Sequence, residues 1–81
     1  MIEECRFFDR GHLYRYRFPL TGGPVRRTEP KPLVLAWLDD NLPGVRPYVI
    51  DKQWIDERQR QLQWYVFFRR YPDAVAFRMR F

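Results

Sequence analysis

QWYVFFRRYPDAVAFRMRF (63–81) closes the chain, and the reading of its second half decides the fold. As far as Phe68 the pattern is that of a strand. Leu62, Trp64, Val66 and Phe68 alternate with polar or aromatic neighbours. Beyond Arg70 two readings compete. Val75, Phe77, Met79 and Phe81 alternate with Ala76, Arg78 and Arg80, as a second hairpin strand would. Against this, Pro72-Asp73 makes a good first helical turn, and Ala74 and Ala76 favour helix. Ala74, Phe77 and Phe81 also form an i, i+3, i+7 stripe. Pattern alone leaves the two nearly balanced.

Working outward, YVIDKQWI (48–55) reads as a strand, with a helix over 51–63 as its competitor. DERQRQ (56–61) is a polar connection. Further upstream, Val34, Leu35, Trp37, Leu38 and Leu42 share one face at helical spacing. Pro32 suits the first turn and Pro43-Gly44 gives a sharp stop, which predicts a helix over 32–42. Asp39 and Asp40 lie near its C-terminus, where the macrodipole disfavours anions. Solvent exposure or neighbouring arginines would each make them tolerable.

ECRFFDRGHLYRYRF (4–18) reads as a β-hairpin. A two-residue turn at Arg10-Gly11 places Cys5, Phe7, Tyr14, Tyr16 and Phe18 on one face. The other face then carries Arg6, Phe8, Leu13, Arg15 and Arg17. A three-residue loop at Asp9-Arg10-Gly11 competes, but it mixes rings with arginines. Between hairpin and helix, PLTGGPVRRTEPKP (19–32) holds four prolines and two glycines, so it cannot sit inside a sheet. It is a long loop with Arg26 and Arg27 at its basic centre, expected to be the most mobile internal segment.

Eighty-one residues make one domain, 1–81, near the small end of what folds alone. Fifteen aromatics supply a dense core, since each large ring buries about 150–250 Å². The formal net charge is +5, with thirteen arginines against two lysines. Arginine's planar fork pairs with carboxylate or phosphate and stacks on rings, so acidic proteins and nucleic acids both suit it. A GC-rich genome would produce the same bias. One cysteine excludes an internal disulfide framework and suits a reducing compartment. The acidic start, MIEECRFF, does not resemble a signal peptide, and no apolar run approaches the ~20 residues of a membrane span. A soluble intracellular protein is expected.

Chemistry is poorly supplied. There is no serine, and the single histidine and cysteine are too few for a Ser-His-Asp triad or a Cys/His zinc site. In the two-residue register Cys5 and His12 stay apart. The pairs Glu3-Glu4, Asp39-Asp40 and Asp56-Glu57 are sequence neighbours whose side chains diverge on a helix or strand. Gly22-Gly23-Pro24 lacks the Lys-Ser/Thr of a phosphate loop. The expectation is a non-enzyme with no catalytic residue, cofactor or metal.

LYRYRFP, a helix ending WLDDNLPG, and WYVFFRRYPDAVAFRMRF together resemble a group of small uncharacterised tailed-phage proteins. Those close with D-A-x-x-F-x-[LM]-[RK]-[FW], here Asp73, Ala74, Phe77, Met79, Arg80 and Phe81. The resemblance implies a closing helix packed after the aromatic strand, and names no catalytic residue. Its pattern does not require the Gly-Gly-Pro loop. With that helix the chain becomes an α+β fold: an antiparallel sheet of three to four strands with helices on one face, ferredoxin-like in arrangement.

Two binding functions are expected on these grounds, and a minor virion structural role is a third. The first is docking, in the host cytoplasm, on an acidic host or viral protein. Tyrosine, tryptophan and arginine are the residue types of binding hot spots. The expected surface gathers Arg69, Arg70, Arg78 and Arg80 around the reversal at Tyr71-Pro72-Asp73, extended by Arg60. Tyr65, Phe67 and Tyr71 adjoin it as rings, and Arg26 and Arg27 add charge. The second is binding of RNA or single-stranded DNA by stacking on exposed sheet rings. The glycine of the RNA-recognition consensus is missing from YVFFRR.

Overall fold

The element order is β1 (Glu3–Asp9), β2 (His12–Pro19), α1 (Pro32–Asn41), β3 (Tyr48–Asp56), β4 (Gln61–Phe68) and α2 (Tyr71–Arg80). The computed structural model describes residues 2–20, 32–56, 58 and 61–81. The loop centre with Arg26 and Arg27, and Arg60 in the β3–β4 connection, lie outside the described residues. The closing segment is helix: Pro72 sits in its first turn, and Phe81 N–H closes it on the Phe77 carbonyl at 2.9 Å.

The four strands form one curled antiparallel sheet in the order β1-β2-β4-β3. The α+β class and the helices on one face agree with expectation. The ferredoxin-like arrangement finds no support in this strand order. Arg10 (φ 50°) and Gly11 (φ 83°) make the two-residue turn, both with the positive φ that a primed hairpin turn requires. Asp9 pairs with His12 directly across it.

One expectation about the hairpin fails. Its register shifts between Glu4 and Phe7, so Cys5 and Arg6 together oppose the single residue Arg15. Because the side-chain period of a strand is two, such a bulge changes which residues of the two strands share a face. Cys5, Phe7 and Tyr14 therefore pack with Tyr65 and Phe67, while Tyr16 and Phe18 join the helix side. Arg17, expected beside Arg15, lies instead over the Tyr65 ring at 4.3 Å.

Each face of the sheet thus has its own core. On the helix side, Val66 and Phe68 meet Leu38 of α1 and Ala74 and Phe77 of α2. Phe77 is the hub, with Phe18, Trp37, Phe68 and Phe81 ring centroids all within 5.8 Å of its own. Among the described residues no helix residue belongs to the second cluster, yet Tyr14 and Phe67 are fully buried and Tyr65 is only 4% exposed. Side chains from the rest of the sheet cover them. Phe7 stacks on Phe67 at 4.2 Å, and Arg17 joins Glu3 of β1 to Gln53 of β3 across Tyr65. Asp39 is met by the Tyr48 hydroxyl, which donates to it, rather than by an arginine. Burial and that bond push the Tyr48 phenol up to about 12.

Candidate docking surface

The turn from α1 into β3, residues 43–47, is fixed by four bonds from three directions. Tyr14 donates its hydroxyl to the Arg46 carbonyl at 2.9 Å, and Arg46 pairs with Asp9 at 3.2 Å. Arg69 donates from its guanidinium to the Val45 carbonyl at 2.8 Å and from its backbone to Pro47 at 3.3 Å. Gly44 (φ 95°) and Arg46 (φ 49°) supply the left-handed backbone that lets the chain reverse there. Val45 is held outward, 71% exposed.

This pinned turn forms one wall of a groove of about 250 Å³, lined by Leu13, Pro43, Gly44, Val45, Pro47, Arg69 and Arg70. A second groove of about 500 Å³ runs along the β1–β2 hairpin, lined by Glu4, Cys5, Arg6, Leu13, Arg15 and Tyr16. Leu13 belongs to both. Its cross-strand partner Phe8 stands 67% exposed beside it. Four arginines therefore flank an apolar pair, with Glu4 as the one lining carboxylate among the described residues. Arg6, Arg15 and Arg70 make no salt bridge among the described residues.

The expected site residues divide into three groups. Arg69, Arg70 and Tyr71 fall at this surface or its edge; Tyr71 is half-exposed and meets Tyr16 edge-on at 5.3 Å. Arg78 and Arg80 do not join them. Arg78 lies eight positions beyond Arg70 along the helix, an axial rise of about 12 Å, so the reversal at Tyr71 does not gather all four. The Arg80 guanidinium rests 5.1 Å from the Phe81 ring centre instead. Tyr65 and Phe67 are also corrected: both are core, buried on the helix-free face.

Arg6 and Arg15 are the residues that the sequence reading did not assign to the site. A signal for them existed, because the hairpin pattern already placed them beside Phe8 and Leu13. The Cys5 thiol in the larger groove is not activated. Burial pushes it up, Arg17 partly opposes that, and the thiol donates to the Tyr14 carbonyl at 3.5 Å. Among the described residues no group of three or more His, Cys, Asp or Glu side chains comes together to hold a metal. No family model matches the chain, and neither the curated proteins nor the solved structures contain a significant match.

Proposed function

We propose that this chain is a small, basic, non-enzymatic docking protein, encoded by a tailed phage, that binds an acidic surface of a host or viral protein. The observation that carries the reading is the pair of grooves meeting at Leu13, rimmed by Arg6, Arg15, Arg69 and Arg70. Exposed aromatic and aliphatic side chains between guanidinium groups match the composition of protein hot spots. The resemblance to tailed-phage proteins supports the source and the host cytoplasm as the place of action. Stacking of bases on Tyr65 and Phe67 draws no support, since both rings are buried.

Capture from host lysate with and without nuclease tests the reading. A host protein retained after nuclease, and released by salt, is the expected result. The Arg6→Glu/Arg15→Glu/Arg70→Glu variant should fold by circular dichroism and retain at least tenfold less, about 1.4 kcal/mol of binding. Loss of all retained material after nuclease would sink the reading.

A further inference from the structure

Resting on the docking reading above, we infer that the partner presents a peptide segment in which acidic residues flank one apolar side chain, and that this side chain seats on Phe8 and Leu13. Arginines alone would take any anion. Here they lie on both sides of an apolar seat: Arg6 and Arg15 in the hairpin groove, Arg69 and Arg70 in the groove against the pinned turn. Phe8 and Leu13 are directly paired across β1 and β2, so their side chains share one face.

Phe8 at 67% and Val45 at 71% exposure pack little against their own chain, and covering them removes apolar area from water. The guanidinium groups beside them hold an acidic segment in register while the apolar side chain is desolvated. A nucleic acid is the poorer fit. Phe8 offers bases a single exposed ring, and Tyr16, the aromatic among the described lining residues, already packs edge-on against Tyr71.

The test uses the full chain and short fluorescent peptides in which glutamates flank a central leucine on both sides. The leucine peptide should bind, and the same peptide with a central serine should bind at least tenfold more weakly. The Phe8→Ser protein should bind both peptides alike, because the seat is gone. Equal binding of the leucine and serine peptides by the wild type overturns the inference and leaves the docking reading standing. Binding of neither peptide overturns both. Displacement of the leucine peptide by a single-stranded oligothymidylate of equal charge, at lower concentration, also overturns both in favour of nucleic acid. The comparison between peptides does not depend on how any protein variant folds.

Discussion

Arg69 and Arg70 are adjacent arginines with different tasks. Arg69 bonds the Val45 carbonyl and so builds the wall of a groove, whereas the Arg70 side chain is exposed and caps nothing. Arg69→Ala should therefore lower stability and speed amide exchange in 44–47, while Arg70→Ala should leave that exchange unchanged, cost less stability and weaken binding. Equal stability losses would show that this division is wrong. Asp73 is a buried carboxylate with one oxygen unpartnered, and its carboxyl is raised by desolvation, with Arg70 opposing. A carboxyl raised by folding favours the native state at low pH, and that advantage is lost as pH rises through the folded pKa. Asp73→Asn should raise the thermal midpoint at neutral pH, with the gain disappearing below about pH 3. A midpoint difference independent of pH would assign the effect to packing. The raised Cys5 thiol should alkylate more slowly with iodoacetamide in the native chain than in urea.

At the scale of elements, most of the fold was legible and the hairpin shows where legibility stopped. Pro32, Pro43-Gly44 and the apolar spacing bound α1, and Arg10-Gly11 set the turn, because those signals are local. The bulge at Cys5-Arg6 left no such mark: no glycine or proline stands there, and the shift follows from how β2 divides its residues between two cores. The closing segment satisfied both periods, and its tertiary contacts decide between them. With 71–80 helical, Phe77 is buried among four rings. The turn itself carries a testable cost. Arg10 holds a positive φ that asparagine tolerates better, so Arg10→Asn should stabilise the chain by about 0.5 kcal/mol in urea unfolding. No gain, or a loss, would mean that the Arg10 side chain contributes contacts of its own.

For the whole molecule, alternation along single strands assigns a ring to core or to partner surface and does not reveal two cores. Tyr65 and Phe67 lie on the face that neither described helix covers, which is the usual position of an open binding face. Their burial depends on Phe7 from one edge strand, Arg17 bridging to Glu3 and Gln53, and the Arg46 turn reached by Tyr14. The hydrogen bonds among them span up to 36 positions and the Phe7–Phe67 stack more still, a range that local pattern does not encode. If both faces are core, truncating either should be costly. Phe67→Ala and Phe77→Ala should each destabilise by about 3–5 kcal/mol, the usual range for a buried aromatic. That is a large part of the ~5–15 kcal/mol that holds a domain together, so either variant should be partly unfolded at modest urea. The alternative makes a different forecast for one of them only. A sheet face open for stacking bases would let Phe67→Ala lose nucleic-acid binding at a cost under about 1 kcal/mol, while Phe77→Ala still unfolds. Urea titration of the two variants, followed by tryptophan fluorescence, separates these outcomes. A stable Phe67→Ala would return that face to the surface and take the docking assignment away from the grooves at Leu13.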